Sequence, residues 1–272
     1  AWVGSGWPSH GIGLRSASSA EVKIVRADDE AQLVGTVDVS RAPATVHPGA
    51  VYLHQGATYR VTELDLEGRT ARVEPADGDE YTSPRSDVSF RILGCEHQRS
   101  VGRATLHLGR IEVVTQVTGF QRIDLRSRTT LGTEPLELPP SVLQTRAVWY
   151  TIDEDLLDAA GLRTDQVPGA LHALEHTAIG ILPLFTICDR WDVGGVSTAL
   201  HADTALPTVT IYDGYPGGAG IAELAYDAAD RHLAETLEVL ERCPCIDGCP
   251  SCVVSPKCGN GNEPLDKDGA RH

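Results

Sequence analysis

Long hydrophobic runs, methionine and lysine are what this 272-residue sequence lacks or has little of. The longest apolar-rich stretch, AIGILPLF at 178–185, is far shorter than the ~18–20 residues that a membrane-spanning helix requires. The N-terminal residues have no basic flank followed by an apolar segment, so no secretory signal peptide is predicted. These absences exclude the membrane-protein class and favour a cytoplasmic location. A chain that starts at Ala1 and has no methionine also fits a piece of a longer polypeptide.

Lysine occurs only at positions 23, 257 and 267. A P-loop places a lysine directly after its glycine-rich turn, where the ammonium group reaches the β- and γ-phosphates. None of the three lysines lies in a G-x-x-x-x-G-K-[ST] pattern. The sequence therefore excludes an ATP-driven motor of the P-loop type within this chain.

Positive charge is also scarce, since the formal net charge is −15. Such a chain repels nucleic acid as a whole. The charge is uneven, however, because residues 85–128 carry eight arginines and four acidic residues. A local basic face of this kind can contact phosphate, although scattered arginines are also typical of a solvated β surface.

Two kinds of local pattern divide the sequence near residue 135. Residues 21–135 consist of short alternating or β-branched runs between turn signals, which predicts a β-rich part folded as a small barrel or meander. Residues 136–272 combine strands with helical periods. The prediction is an α+β fold, with the N-terminal β-rich part packed on a C-terminal α/β part. The predicted helices are 153–161, 168–185 and 219–243, and the predicted turns include Gly94, Gly109 and the loop 130–140.

Five of the seven cysteines fall within the segment CPCIDGCPSCVVSPKC at 243–258. Short gaps allow thiolates to converge from a tight loop on one tetrahedral Zn²⁺, with bonds of about 2.3 Å. The candidate ligands are Cys243, Cys245, Cys249 and Cys252, with Cys258 as a fifth candidate for the four positions. Because four thiolates close the coordination shell, a single structural zinc is predicted where the longest helix ends.

Disulfides and an iron–sulfur cluster are the alternatives for this cysteine-rich segment. The odd number of clustered cysteines and the lack of a signal peptide argue against disulfides. An iron–sulfur cluster also takes four cysteines and stays open as an alternative to zinc. Cys95 and Cys188 stand alone, and are predicted to be buried apolar residues rather than ligands.

A second metal-binding pattern, H-x-x-E-H, lies at 172–176. His172 and His176 are one helical turn apart and would project from one face, while Glu175 would activate a zinc-bound water. A zinc-dependent hydrolase is therefore an alternative function, although the downstream helix offers no obvious third ligand. Histidines that flank a core stripe are more often boundary residues.

The loop YDGYPGGAG at 212–220 opens the longest predicted helix. Glycines before a helix N-terminus can cradle an anion. The fingerprint G-x-G-x-x-G is absent, however, and Asp213 lies where a phosphate would have to pass. The loop is therefore predicted to be a tight turn with positive φ angles.

Several long segments, in the same order along the chain, resemble one known family. They are HPGAVYLHQGATYRV at 47–61, CDRWDVGG at 188–195, IYDGYPGGAG at 211–220 and CPCIDGCPSCVVSPKCGNGNEPLDK at 243–267. Together they resemble the C-terminal region of superfamily 2 DNA helicases of the MrfA, SftH and Hrq type. Residues 1–20 resemble the segment that leads out of the preceding helicase region.

The resemblance implies a full-length, ATP-dependent 3′→5′ DNA helicase that serves DNA repair. Its motor domains would bind ATP and Mg²⁺ and lie outside this sequence, so the chain itself would be a non-catalytic accessory. The implied zinc ligands are Cys243, Cys245, Cys249 and Cys252, the set that spacing also favours. The implied partners are the motor domains and DNA, as a single-stranded 3′ tail or a duplex.

The basic segment 85–128 is then the candidate wall of a DNA path. Arg122, Arg126 and Arg128 are the candidate DNA contacts within it. A module that binds a protein partner instead of DNA is a further alternative, consistent with the acidic remainder of the chain.

Overall fold

The computed structural model describes residues 20–272 and divides the chain into two compact units. Unit 1 comprises the described residues up to Asp87 together with Gln116–Ser141, and unit 2 comprises Val88–Thr115 with Val142–His272. This division differs from a single boundary near residue 135, because two long strands each contribute residues to both units. Of the predicted lead-in at 1–20, all but the last residue lies outside the described part.

Unit 1 contains a five-stranded sheet. Its strands are β1 (Glu21–Arg26), β2 (Leu33–Asp38), β3 (Val51–His54), β4 (Ala57–Asp65) and β5 (Thr70–Pro75), with the short helix α1 (Ala42–Thr45) before β3. The strand order is β2-β1-β5-β4-β3, in which β3, β4 and β5 form an antiparallel meander and β1 pairs with β5 in parallel. Alternation places the fully buried Val22, Ile24 and Val73 on one face, so the period-two pattern of these runs builds the core.

The second sheet has six strands, two of which are much longer than the others. They are β6 (Glu80–Val101), β7 (Ala104–Asp124), β8 (Thr130–Pro135), β9 (Ser141–Thr151), β10 (Val193–Thr198) and β11 (Thr208–Asp213). The order is β10-β11-β9-β7-β6, and β8 pairs with β7 beyond this path. Three buried runs in β7, β9 and β11 place large side chains such as Trp149 in the interior.

Three longer helices belong to unit 2: α2 (Glu154–Ala160), α3 (Val167–Ile181) and α4 (Ile221–Arg242). Asp153 caps α2 by accepting a hydrogen bond from the N–H of Leu156, and Gly161 ends it in a left-handed conformation. Helix α3 is buried along most of its length, with Leu171 and Ala178 in the core. No helix in residues 20–272 is long and apolar enough to cross a membrane.

The predicted α+β class is confirmed, but the predicted turns at Gly94 and Gly109 are wrong. Both glycines lie inside β6 and β7. A Cβ at Gly109 would overlap the carbonyl oxygen of Gly94, so these glycines permit a close approach of two backbones within the sheet. The segment 130–140, predicted as a loop, supplies β8, and β10 was not predicted because two glycines break its apolar pattern.

Candidate metal centre

The cysteine-rich segment begins immediately after α4 ends. Cys243 adopts an extended conformation, with φ −68° and ψ 120°, and Pro244 follows it. A residue before proline is driven out of the helical region, which explains why α4 stops here. Gly248 then turns the chain with a φ of +117°, which suits glycine alone.

Four thiol groups converge in this loop, and they are those of Cys243, Cys245, Cys249 and Cys252. All four Sγ atoms lie within 4.8 Å of one another. Four of the Sγ–Sγ distances are 3.5, 3.5, 3.4 and 3.7 Å. A tetrahedral zinc with bonds of about 2.3 Å requires sulfur–sulfur distances of about 3.8 Å. The spacing thus fits a tetrathiolate metal centre, although the observed sulfur–sulfur distances are slightly shorter than the ideal value.

A buried lysine neighbours the four thiols. The Nζ atom of Lys267 donates to the carbonyl oxygens of Cys243 at 2.8 Å and Cys245 at 2.6 Å, and lies 3.3 Å from the Sγ of Cys245. Lys267 is only 2% exposed. The backbone N–H of Cys249 points to the Sγ of Cys252 at 3.3 Å. These donors favour sulfur in its anionic, metal-binding form.

The protonation equilibria of the thiols differ strongly. Burial raises the pKa of Cys252 to about 12. For Cys245, burial acts in the same direction, but hydrogen bonds with Cys252 and Lys267 outweigh it and lower the pKa to about 6. Four thiolates at these distances repel one another, so all four ionise together only with a cation between them. The residues present therefore fit a divalent metal ion.

The thiol cluster packs on the ends of the two long helices. Cys252 and Val253 form a small core with Ala173 of α3 and Leu240 of α4. The guanidinium of Arg271 donates twice to the carbonyl oxygen of Leu240, at 3.1 and 2.9 Å, and so satisfies the last turn of α4. A metal in the cluster would therefore pin the C-terminal end of α4.

Cys258, the fifth candidate ligand, lies apart from these four thiols. It groups instead with His172 and His176 of α3, and the three donor atoms lie within 4.8 Å of one another. Glu175 does not join them, because its carboxylate hydrogen-bonds Ser197 on β10. Burial raises the pKa of Glu175 to about 7, and the bond to Ser197 opposes that shift.

The hydrolase alternative is therefore wrong. It required Glu175 beside a zinc-bound water, whereas a Cβ added at Gly195 would lie 2.6 Å from the Oε1 of Glu175. This carboxylate thus packs tightly against β10. A helical H-x-x-E-H pattern places the two histidines one turn apart. It does not determine whether the glutamate side chain points towards the histidines or towards another element.

Asp213 organises the glycine-rich loop at the start of α4. Its carboxylate accepts hydrogen bonds from the backbone N–H groups of Ala219, Ile221 and Ala222, the last at 2.8 Å. Gly217, Gly218 and Gly220 all have positive φ, which confirms the predicted tight turn. The buried carboxylate occupies the helix N-terminus, so this loop binds its own side chain rather than an external anion.

The arginines of the basic segment are divided equally between the units, and half of them pair with carboxylates. Four of the eight make ion pairs: Arg91 with Glu112, Arg99 with Asp230, Arg110 with Glu96, and Arg122 with Glu80 and Glu134. Among the three candidate DNA contacts, Arg126 is exposed and Arg128 lies 5.4 Å from the ring centre of Tyr81. Arg122 is thus committed to internal carboxylates, and Arg126 and Arg128 stay open to solvent.

Sequence reasoning missed Lys267 and misjudged one cysteine. Lys267 is one of only three lysines, and its place in the NEPLDK tail was the available signal. Cys95 is exposed, so its predicted burial is wrong, while Cys188 is partly buried. Cys95 lies on β6, the last strand in the sheet order, within a run of four exposed residues that ends at Gln98.

Comparison with known proteins agrees with the geometry of the thiol cluster. Residues 174–253 match the family model described as the MrfA Zn-binding domain. The chain is 35% identical over 259 residues to the uncharacterized ATP-dependent helicase YprA of Bacillus subtilis, covering 93% of this chain and 34% of YprA. It is 26% identical to the ATP-dependent helicase HRQ1 of Saccharomyces cerevisiae, covering 97% of this chain and 26% of HRQ1.

Solved structures give the same relationship. The DUF1998 helicase MrfA bound to DNA aligns with a TM-score of 0.65 and 32% identity, over 96% of this chain and 35% of MrfA.

A shorter sequence relative is the uncharacterized protein MJ1572.1 of Methanocaldococcus jannaschii, which is 46% identical over 102 residues. These residues are 36% of this chain and 89% of that protein. The chain spans about a quarter to a third of the length of the helicases it matches. Residues 174–253 thus resemble the MrfA Zn-binding domain, and the chain as a whole is similar to the corresponding part of a group of helicases that includes YprA and HRQ1.

Proposed function

We propose that this chain holds a structural Zn²⁺ on Cys243, Cys245, Cys249 and Cys252. In this proposal it acts as the C-terminal accessory region of an ATP-dependent 3′→5′ DNA helicase that serves DNA repair. The observation that carries the zinc assignment is the convergence of four Sγ atoms at near-tetrahedral spacing. The family description supports zinc over the iron–sulfur alternative.

The zinc has a structural role because all four positions are taken by protein thiolates. Such a shell leaves no open position for substrate or water. Since the cluster packs on Leu240 and Ala173, binding of the metal stabilises the junction between α3, α4 and the C-terminal tail. ATP and Mg²⁺ would be bound by motor domains of the same polypeptide, as the names of the helicase relatives suggest.

Elemental analysis of the purified chain, together with its visible absorption spectrum, tests the metal assignment. We expect zinc, no iron and no visible absorption band. A brown, iron-containing protein would replace zinc by an iron–sulfur cluster. Exchange of zinc for cobalt then reports the ligands, because a tetrathiolate site gives cobalt a spectrum dominated by sulfur-to-metal charge transfer.

DNA is the proposed partner of the full-length protein, and the contact surface is proposed to include Arg126 and Arg128. Both side chains are exposed and neither makes an ion pair with a described residue. Each arginine that contacts a phosphate adds about 1 to the slope of log affinity against log salt. The Arg126→Glu/Arg128→Glu variant of the full-length protein should therefore bind DNA more weakly and lose up to about 2 from that slope.

The matched control for this experiment is Arg69→Glu, an exposed arginine in the same unit, at the turn between β4 and β5. It should leave the slope unchanged. DNA affinity and salt slope that stay at the wild-type values in the Arg126→Glu/Arg128→Glu variant would remove these residues from the DNA path. Such a result would favour a protein partner for this surface.

A further inference from the structure

Three metal-binding groups meet on the side of α3 that faces the C-terminal tail, away from the four clustered thiols. The Sγ of Cys258 lies 3.5 Å from the Nε2 of His172 and also hydrogen-bonds the imidazole of His176. The two imidazole rings are 4.2 Å apart between centroids. Both histidines are less than 9% exposed, so the groups converge in a nearly closed space.

The hydrogen bonds of the two histidines orient them as ligands. The Nδ1 of His172 donates to the carbonyl oxygen of Pro264 at 2.8 Å, and the Nδ1 of His176 donates to that of Val253 at 2.7 Å. A carbonyl oxygen only accepts, so each Nδ1 carries a proton and each Nε2 of the neutral ring is a lone-pair donor. Histidine ligands of metals characteristically use their second nitrogen in this way.

The distance between sulfur and nitrogen also fits a metal ion. For tetrahedral zinc with a Zn–S bond of about 2.3 Å and a Zn–N bond of about 2.05 Å, the sulfur–nitrogen separation is about 3.6 Å. The observed separation between Cys258 and His172 is 3.5 Å. A backbone N–H, that of Asn262, points to the Sγ of Cys258 at 3.2 Å, as in the loops that hold metal-bound thiolates.

The loop that carries Cys258 is built to hold this thiol in place. The side chain of Asn262 accepts from the N–H of Ser255 at 2.7 Å and donates to the carbonyl oxygen of Ser255 at 3.0 Å. Asn262 itself adopts a positive φ of 65°, which asparagine tolerates better than most residues. The thiol is therefore placed by a closed loop, and its position opposite the two histidines is not an accident of a mobile side chain.

We propose that His172, His176 and Cys258 bind a second zinc ion, through two Nε2 atoms and one Sγ atom. The donor set of two imidazoles and one thiolate suits a borderline metal such as zinc. A water molecule would complete four-coordination. The site ties the middle of α3 to the segment after the tetracysteine loop, which adds a second metal to the single one of the proposed function.

The second site is proposed to have a structural role, because it cross-links α3 to the C-terminal tail and Glu175 is engaged elsewhere. Glu175, the only acidic residue of the H-x-x-E-H pattern, is bound to Ser197 on β10. The second site would link Cys258 to α3, and the tetracysteine loop packs on Ala173 of α3, so the chain after α4 is held on α3 at two points.

Zinc stoichiometry of the purified chain tests the proposal, and the expected value for the wild type is two zinc ions per chain. His172→Asn is the informative variant, because its amide preserves donation to Pro264 while it removes Nε2. His172→Asn and Cys258→Ser should each lose one zinc ion. Cys188→Ser is the matched control, since this thiol bonds Thr186 outside both clusters and its loss should leave two.

X-ray absorption at the zinc edge of the wild-type chain keeps the test decisive if a variant fails to fold. The spectrum averages over both zinc ions. If both sites are filled, the two ions together have five sulfur ligands and two imidazole ligands from the protein. One zinc ion per chain with a shell of sulfur alone would overturn the second site and leave the tetracysteine centre intact. Cys258 would then be a thiol hydrogen-bonded to two imidazoles. A wild-type chain without zinc would overturn both sites.

Discussion

The ammonium group of Lys267 lies 3.3 Å from the Sγ of Cys245, and it is buried. A zinc ion with four thiolates carries a net charge of about −2, which is costly to bury without a counter-charge. The same ammonium donates to the carbonyl oxygens of Cys243 and Cys245. Lys267 thus joins the tail to the metal loop and offsets part of the charge of the centre.

Replacement of this lysine should weaken zinc binding. Lys267→Met keeps the aliphatic length and removes the charge and all three contacts. Partners in the outer shell of a metal typically change affinity by about 10–100-fold. We therefore expect faster transfer of zinc to a chromogenic chelator, by roughly that factor.

The control is Lys23→Met, which changes the charge equally at an exposed position on β1. Its zinc transfer rate should match that of the wild type. A Lys267→Met variant with the same rate would mean that the ammonium supports the backbone of the loop but not the metal.

Removal of zinc should loosen one end of unit 2 and leave unit 1 unchanged. The tetracysteine loop packs on Leu240, and Arg271 caps the same turn of α4. Without the metal, the thiolates repel and the loop loses its cross-link, so backbone amides around 240–254 should exchange faster with deuterium. Hydrogen exchange with and without chelator, under reducing conditions, measures this. Equal protection in both samples would show that the loop folds without metal.

The glycine-rich loop before α4 allows a paired test of strain and packing. Gly217 and Gly218 have φ of +76° and +90°, conformations that cost an L-residue about 1–2 kcal/mol. A Cβ at Gly217 meets open space, whereas one at Gly218 would overlap the side chain of Arg146. Arg146 cannot easily move away, because Glu96 and Glu223 hold its guanidinium.

Gly217→Ala should therefore lower the free energy of unfolding by about 1–2 kcal/mol. Gly218→Ala should lower it by about 1–3 kcal/mol more, since overpacking is added. Urea denaturation of both variants checks the difference. Equal losses would mean that Arg146 relocates without cost.

A buried histidine should make the stability depend on pH. The Nε2 of His232 donates to the carbonyl oxygen of Ala178 at 2.8 Å, and burial lowers the pKa of this imidazole below its ordinary value of 6.5. The folded state therefore binds the proton less well than the unfolded state. Its contribution to stability is complete above pH 6.5 and decreases as the pH falls from there towards the folded-state pKa.

His232→Gln keeps a donor for Ala178 and removes the titration. The free energy of unfolding of this variant should fall less steeply below pH 6.5 than that of the wild type. Loss of zinc in acid affects both proteins equally, so the difference between the two curves isolates the histidine. Parallel curves would mean that His232 does not titrate on unfolding.

Local signals predicted much of this molecule. Asp153 and Gly161 mark both ends of α2 as a capping residue and a left-handed stop should. The convergence of the thiols of Cys243, Cys245, Cys249 and Cys252 was predicted from their spacing, because short gaps keep these side chains within one tight loop. The predicted turns at Gly94 and Gly109 are wrong, because the sequence alone does not distinguish a glycine at a turn from a glycine where two strands approach closely.

Long-range partners explain the other misses. Cys258 and the histidines of α3 are about 80 residues apart, and nothing in either segment specifies the other. Arg122 is predicted from the sequence as a surface charge that contacts DNA, but it pairs with Glu80 of a different strand at 2.8 Å. Pairings of this kind depend on strand order, which local patterns do not contain.

Native mass spectrometry of the Cys249→Ser variant tests the central claim most directly. Cys249 belongs to the tetracysteine centre and not to the cluster of His172, His176 and Cys258. The account predicts that this variant carries one zinc ion fewer than the wild type, while Cys95→Ser, which alters an exposed thiol, carries the same number. A Cys249→Ser chain with the full zinc content of the wild type would contradict the assignment of the metal to these four thiols.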